Sequence, residues 1–463
     1  MSFDSMTRSG LVFVALVAGE AVSGAPPSPA PAAEPAVAAG TAAKVETAVP
    51  SGTAMSVPAA AVSPSEVASA EAAAAAAGEE EKESALVPFY SFHFTEGMSI
   101  PSIGGLFFGN NVGTTIGGKY GLGPEHALFG AYELSYQGPG MRAQEGHEFQ
   151  ERAIDHSVSG GHSWKISPSL LLSSRVQYLH EFRRTGANEQ FGNGLYDFWS
   201  LGLAERVDLG LVPGIPLGGG LSYAYVRFPN YTDLLAEFQS ASLTSELSGG
   251  AQDFHRFRAE GDAGFSQGQG RAWFQVSMLD YINAKVVSGI GTAGTTKQQD
   301  FLAGIGGSWK QVLSKSSGVI TAEPALRVDY KTSNQNFVRY RIFGDPSSAS
   351  FIQGNYDYVA PSLEVPVRWS FETGQALVFS PAYSMMAYTK RPPRDPVNNY
   401  ITGKRQMNQT VALTLGYVAR LYAYTNWTFG YTLQIQQSNN KFERFLPYNY
   451  TGHVVYTALD ITY

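Results

Sequence analysis

The last nine residues, Val455-Tyr456-Thr457-Ala458-Leu459-Asp460-Ile461-Thr462-Tyr463, divide by parity into two unlike faces. Val455, Thr457, Leu459, Ile461 and Tyr463 share one side of an extended chain, while Tyr456, Ala458, Asp460 and Thr462 share the other. Side chains alternate across a strand, so this period-two pattern marks a strand with one apolar face, ended by an aromatic residue. A strand of a soluble β-sandwich would alternate in the same way, and the rest of the chain has to decide.

From Leu86 onward the sequence reads as extended segments of about ten residues or more, punctuated by turn chemistry. Short turns fall at 122–125, 166–169, 211–216, 267–270, 314–318, 372–375 and 422–425. Long polar connections fall near 95–112, 137–149, 184–194, 227–252, 283–299, 332–354, 390–405 and 438–449. Seven short turns alternating with eight long loops imply 16 strands, with both ends of the body on the short-turn side. A sandwich has no reason to sort its connections by length onto two ends.

Faces within the strands agree with this reading. Over 319–331, Ile320, Ala322, Pro324, Leu326, Val328 and Tyr330 oppose Glu323, Arg327, Asp329 and Lys331. Over 359–371, Val359, Pro361, Leu363, Val365, Val367, Trp369 and Phe371 oppose Ser362, Glu364, Arg368 and Ser370. Over 256–265, Phe257, Ala259, Gly261, Ala263 and Phe265 oppose Arg256, Arg258, Glu260 and Asp262. Glu205 interrupts an apolar face made by Trp199, Leu201, Leu203 and Val207, which predicts either a bulge or a position at a membrane surface. Trp164, Trp273, Trp309, Trp369 and Trp427 lie close to short turns, as an interfacial girdle would require, although the parity of Trp273 is that of the charged face.

These features resemble bacterial outer-membrane β-barrels over residues 86–463. The resemblance rests on architecture and on the terminal strand rather than on a family-specific motif. It implies an all-β, transmembrane antiparallel barrel of about 16 strands with short turns in the periplasm and long loops outside. It also implies that Val455, Leu459, Ile461 and Tyr463 form a signal read by the barrel-assembly machinery, and that membrane lipid and lipopolysaccharide surround the chain. A homo-oligomer is expected only by analogy with porins.

Composition agrees with that address. The 463 residues include 50 Gly, 25 Tyr and 27 Phe, with 15% charged residues and no Cys. No apolar run reaches the roughly 20 residues a spanning helix needs. Without cysteine there is no disulfide framework, thiolate metal site or lipidated N-terminal cysteine. Residues 1–85 hold 10 of the 39 acidic and 3 of the 32 basic side chains, leaving a neutral body with 29 of each. A neutral body without a basic footprint argues against nucleic acid as a partner.

Residues 1–24 read as a secretory signal, with Arg8 before the apolar run Leu11–Gly19 and small residues at Val22 and Gly24. Residues 25–85 read as a disordered Ala/Pro-rich periplasmic linker. Within it Ser63-Pro64-Ser65-Glu66 has the form of a helix start, and the reading is a short alanine-rich helix to about Ala77, ended by Gly78 and an acidic stretch at 79–83. The linker is expected to meet any periplasmic protein partner.

The sequence offers a lumen wall as its candidate site. Arg175, Glu181, Arg183, Arg256, Arg258, Glu260, Asp262, Glu323, Arg327, Asp329, Lys331, Glu364 and Arg368 are expected to line a pore, either setting a field across it or pairing along its wall. In the longest loop, Thr232 or Asp233 could cap a short helix presenting Leu234, Leu235 and Phe238, the kind of segment that folds inward to constrict a pore. Loops carrying Phe337 to Arg341, Lys390 to Arg394, Lys404 and Arg405 make a basic, aromatic outer rim suited to lipopolysaccharide phosphates or anionic solutes, or to solvent alone. No zinc spacing, nucleophile elbow or phosphate loop is present, and His126, His147, His156, His162, His180 and His255 form no catalytic pattern in sequence. The expectation is a non-enzymatic, porin-like channel for small polar solutes without a cofactor. The linker favours an alternative, a barrel component of an export or envelope-spanning secretion assembly.

Overall fold

The computed structural model describes residues 86–102, 106–139, 152–184, 191–194, 196–212, 215–231, 252–265, 269–287, 293–316, 318–340, 349–442 and 448–463. The signal segment 1–24, the linker 25–85 with its helix start, and the loop body 232–247 fall outside them.

Sixteen antiparallel strands close into one barrel. They are β1 Leu86–Pro101, β2 Phe107–Gly121, β3 His126–Pro139, β4 Arg152–Ser167, β5 Leu170–Arg184, β6 Phe198–Val212, β7 Ile215–Arg227, β8 Phe254–Phe265 and β9 Gly270–Val287. β10 joins Ala293–Trp309 to Gln311–Ser314, β11 joins Val319–Ala322 to Ala325–Ser333, and β12 joins Tyr358–Glu364 to Val367–Ser370. β13 Gln375–Tyr388, β14 Met407–Tyr422, β15 Thr425–Ser438 and β16 Tyr450–Thr462 complete the ring. Each strand pairs with its sequence neighbours. β16 returns to β1 in register from Ser91↔Thr462 to Pro101↔Gly452, and Tyr90 and Tyr463 exchange both backbone hydrogen bonds. Closure leaves the ring without an open sheet edge, so strand N–H and C=O groups find their partners within the ring rather than in a medium that offers none.

The three interrupted strands have a chemical cause. Proline has no N–H to give to a ladder, and Pro324, Pro366 and Pro381 lie on the adjacent strands β11, β12 and β13. The ladder is carried past them by their carbonyls, which accept from Trp309, Glu323 and Val365 respectively.

Side-chain exposure fixes the two faces. Leu221, Ile305, Leu326 and Leu415 are 68%, 62%, 57% and 53% exposed on the outer wall, and the residues between them on each strand point inward. Exposed apolar side chains on fifteen of the sixteen strands match a hydrocarbon-facing surface. Small inward residues make room for large ones. A Cβ at Gly430 would fall inside the Tyr456 ring, which lies flat on the wall across β15 and β16.

The strand boundaries bracket all seven positions where sequence placed short turns. Two long loops do not. Connections 95–112 and 283–299 are largely strand, because β1 runs to Pro101, β2 starts at Phe107, β9 runs to Val287 and β10 starts at Ala293. Loop 332–354 carries its own hairpin, Asn336–Tyr340 paired with Ala349–Gln353. Glu205 is neither at a bulge nor at an end: the β5–β6 register is unbroken from Leu170↔Leu209 to Glu181↔Phe198, leaving its carboxylate on the outer wall at mid-strand. There it accepts a 2.7 Å hydrogen bond from Ser174 Oγ.

Candidate functional site, the lumen wall

All thirteen charged residues expected to line a pore lie on inward-facing positions, and the cross-strand register explains how they meet. On β10 and β11, Asp300 lies opposite Ser333 and Leu302 opposite Lys331. This brings Lys331 Nζ within 2.9 Å of Asp300 Oδ2, with side chains only 4% and 3% exposed. Ser333 Oγ donates to the other oxygen, Oδ1, at 2.6 Å. Asp300 was not singled out in sequence, where it looks like any polar residue after a loop.

Six of the remaining twelve pair along a single strand. Arg183 Nε binds Glu181 at 2.6 Å, Arg258 binds Glu260, and Arg327 grips Asp329 through two bonds of 2.6 and 2.8 Å. Residues i and i+2 share a face, so a guanidinium reaches the carboxylate two residues away without leaving the wall. Arg206, missed in sequence, ties β6 to β8 across the intervening β7. It binds Asp208 on its own strand and Asp262 on β8, both at 2.8 Å, and reaches Glu260 at 4.0 Å. Arg271 adds a longer contact to Asp262 at 3.7 Å. Glu323 and Glu364 take serine hydroxyls, from Ser308 at 3.3 Å and Ser380 at 2.7 Å. Arg368 Nε donates to Ser370 at 3.0 Å.

Of the two arrangements open in sequence, a field between oppositely charged walls and pairing along one wall, the geometry is the second. Arg256 departs from it: no carboxylate among the described residues lies within 4.0 Å of it. Asp155 and Glu181 are direct cross-strand partners, only 7% and 1% exposed, and Arg183 with Ser135 supplies their donors.

Tryptophan placement also needs correction. Trp273 points inward, lies over Gly306 and carries Arg327 above its ring, 5.1 Å from the centroid. It belongs to the lumen wall, as its parity indicated, and not to a girdle. Trp164, Trp309 and Trp427 are on the outer wall near the short turns.

At the long-loop end, apolar side chains pack together on the inner face of β5–β9. Leu179, Phe198, Val226, Phe228, Phe254, Leu279 and Tyr281 form one buried cluster, with Tyr231 against it. The first residues of the longest loop therefore turn inward, since Phe228 and Tyr231 follow β7. Asp253 Oδ1 accepts the Phe228 N–H at 2.7 Å and fastens the two roots of the loop together. Burial pushes the Asp253 carboxyl above the usual range, with that N–H acting against the shift. The expected helix at 232–238 lies outside the described residues.

The outer rim is built rather than merely solvated. Arg394 lies over Phe442 and Tyr400 at 5.2 and 6.0 Å and donates to Asn398 at 3.0 Å, and Arg391 lies over Tyr388 at 4.8 Å. Asp395 accepts from Asn399 and Val397 backbone N–H groups, which hold its carboxyl below the usual range.

One constellation was invisible in sequence because its members lie at opposite ends of the chain. His93 on β1 meets Asp460 on β16 through Nδ1, and His93 Nε2 meets Thr95 Oγ1 at 2.8 Å. A carboxylate can only accept, so Nδ1 carries a proton directed at Asp460, and Nε2 shares a hydrogen bond with the threonine hydroxyl. The order carboxylate–imidazole–hydroxyl is that of a hydrolytic triad, but β1 is paired on both sides over Ser91–Ser99. Its N–H donors there are committed to the ladder, so among the described residues β1 offers no oxyanion-binding pair beside Thr95. The three side chains tie β1 to β16 on the inner wall.

An apolar outer band, a hydrophilic inner wall and complete closure decide the class. The fold is that of the bacterial outer-membrane β-barrels. Structural comparison finds barrels of this kind at low likeness. A loop L8 deletion mutant of OmpT, an outer membrane protein of Vibrio cholerae, aligns with 12% identity and TM-score 0.41, covering 82% of this chain and all of that one. An anion-selective porin from Comamonas acidovorans aligns with 11% identity and TM-score 0.41 over the same shares. A point mutant of the ferric enterobactin receptor PfeA from Pseudomonas aeruginosa aligns with 10% identity and TM-score 0.43, covering 82% of this chain and 81% of that one. No protein-family model matches the chain, and no curated protein matches its sequence.

Proposed function

We propose that the chain is a bacterial outer-membrane, porin-like channel for passive diffusion of small polar solutes. In this reading the short turns face the periplasm and the long loops face outside. The observation that carries the proposal is the inner wall: a closed ring of 16 strands with charged, hydroxyl and amide side chains on every inward face. Barrels of this strand number are wide enough for an aqueous path, which such a wall would solvate. The inward roots of the longest loop support a constriction at the outer mouth.

Single-channel conductance of the refolded full chain in a planar bilayer tests the proposal, with a repeat after deletion of 232–247. Steady conductance that rises on deletion is expected. A barrel silent in both forms would overturn the proposal. It would favour the second reading, a barrel component of an export or envelope-spanning secretion assembly. The acidic, alanine-rich composition of residues 25–85, suited to a periplasmic protein partner, speaks for that reading.

A further inference from the structure

The inner wall is unevenly charged at its short-turn mouth. Within two residues of the strand ends stand Lys119 on β2, Lys165 on β4, Arg271 on β9, Arg368 on β12 and Arg420 on β14, against one carboxylate, Asp460 on β16. All five cations hold inward positions. Ile116 and Tyr120, Trp164 and Ile166, and Leu415 and Leu421 mark the outward parity of β2, β4 and β14, and Lys119, Lys165 and Arg420 have the other. Arg271 shares the parity of Trp273, and Arg368 pairs with Val378, which lies between the outward Leu377 and Phe379.

Little on the wall answers this charge. Asp460 is bound to His93, and Arg271 reaches Asp262 only at 3.7 Å. No carboxylate among the described residues lies within 4.0 Å of Lys119, Lys165, Arg368 or Arg420. Arg420 turns to the carbonyls of Tyr422 and Ala423, and Arg368 Nη1 is buried without an acceptor among the described residues. At the other mouth, by contrast, Arg183 and Lys331 have their carboxylates at 2.6 and 2.9 Å. The short turns add Glu125, Lys315 and Glu372, all exposed, so six cations face three carboxylates and the mouth is net +3. The run Glu79-Glu80-Glu81-Lys82-Glu83 carries −3. It ends three residues before Leu86, where β1 begins at this same mouth, and the register sets Val87 opposite Lys119.

We propose that the acidic run 79–83 docks on this inner collar, with Lys119, Lys165 and Arg420 as its contacts, and lies across the short-turn mouth. Length permits it. At about 3.4 Å per extended residue, Glu83 reaches ~10 Å from the start of β1 and Glu79 ~24 Å. Strands about 4.8 Å apart put β4 and β14 each roughly 15 Å from β1 around the ring, inside that reach. Charge favours it, because each partner repels itself when apart and neutralises the other on contact. Tethering selects this occupant over a free anion, since a short linker holds the run at an effective concentration of about a millimolar or more. The contact does not depend on whether the lumen conducts.

Carbodiimide cross-linking, which joins a carboxylate to a lysine amine it touches, tests this on the unaltered full chain in detergent. Light and isotopically heavy chains are mixed, and the linked peptides are read by mass spectrometry. Links from 79–83 are expected at Lys119 and Lys165, within one chain, and not at Lys404 or Lys441 of the long-loop end. Their yield should fall by roughly fivefold, the worth of one close ion pair in water, between about 0.1 M and about 1 M salt, where the Debye length shrinks from about 10 to about 3 Å. The proposal is overturned by the absence of links to either lysine, by links spread evenly over all lysines, or by a yield indifferent to salt. Links joining light to heavy chains overturn it too, by assigning the run to a second copy. In a conducting barrel, Glu79→Gln, Glu80→Gln, Glu81→Gln and Glu83→Gln together should raise conductance at low salt and leave it unchanged at high salt. No change at either would contradict a covered mouth. A silent barrel that still gives the links within one chain counts against the channel alone.

Discussion

The lumen has two unlike walls. From β5 to β12 it carries most of the inward charge, held in short networks such as Glu181–Arg183, Arg206 with Asp208 and Asp262, Arg258–Glu260, Arg327–Asp329 and Lys331–Asp300. From β13 to β16 it is made of small and uncharged groups, including Ala376, Ser380, Ala412, Thr428, Thr432 and Ala458, all buried. Thr414 and Thr432 bond each other there at 3.0 Å. Charge on the second wall is confined to Arg420 and Asp460, both near the short turns. The difference teaches that this barrel does not set positive against negative across its interior. One wall carries ion pairs, with Arg256 outside them, and the other a hydroxyl surface.

The largest effect should come from the driest pair on the charged wall. Lys331→Met leaves Asp300 without its cation at 3% exposure, and breaking such a pair costs about 3–5 kcal/mol. Denaturant unfolding of the detergent-held barrel measures it. Thr432→Val on the neutral wall should cost about 1 kcal/mol, the net worth of one hydrogen bond. Equal losses would erase the distinction between the walls.

Selectivity sharpens the comparison next. Arg256 and Arg258 stand on the charged wall, with Glu260 answering only the second. Arg256→Gln should lower the anion-to-cation permeability ratio, read from reversal potentials, by up to about fivefold, the ~1 kcal/mol of a close charge in water. Thr414→Val on the other wall should leave the ratio unchanged.

Glu205 extends the test to the outer surface. A charge facing hydrocarbon is unfavourable by less than the roughly 2–4 kcal/mol assigned to Arg or Lys at the midplane. Glu205→Leu is therefore expected to stabilise the barrel by about 1 kcal/mol, with Ser174 losing its acceptor as a partial offset. Destabilisation would mean that the carboxylate is not lipid-facing. The smallest effect belongs to Asp329→Asn, because Arg327 and Asp329 are 48% and 30% exposed and a solvated pair contributes about 0–1 kcal/mol.

The barrel was legible in sequence because its two signals are local. Period-two alternation needs only neighbouring residues, and turn chemistry needs only about four, so 16 strands and seven short turns could be read from Leu86 onward. Strand ends beyond the membrane were not legible, as 95–112 shows, because outside the hydrocarbon the pattern loses its apolar half. The inward side of the charged residues was likewise readable from parity, including Trp273. Their partners were not. Lys331 meets Asp300, and Asp460 meets His93 across 367 positions, through registers that hydrophobic patterning leaves open. Glu205 failed as a local reading because its outward position breaks the pattern that the rest of β6 obeys.

Because the chain has no cysteine, single substitutions can report directly on the central claim, a water-filled lumen whose walls alternate with lipid-facing positions. Cysteine would be placed one at a time at Asp329, Tyr330, Thr414 and Leu415, in protein reconstituted in vesicles, and exposed to a charged, water-soluble thiol reagent. Asp329→Cys and Thr414→Cys should label quickly, while Tyr330→Cys and Leu415→Cys should stay protected. Uniform protection would contradict a hydrated lumen, and labelling without regard to parity would contradict the assignment of faces.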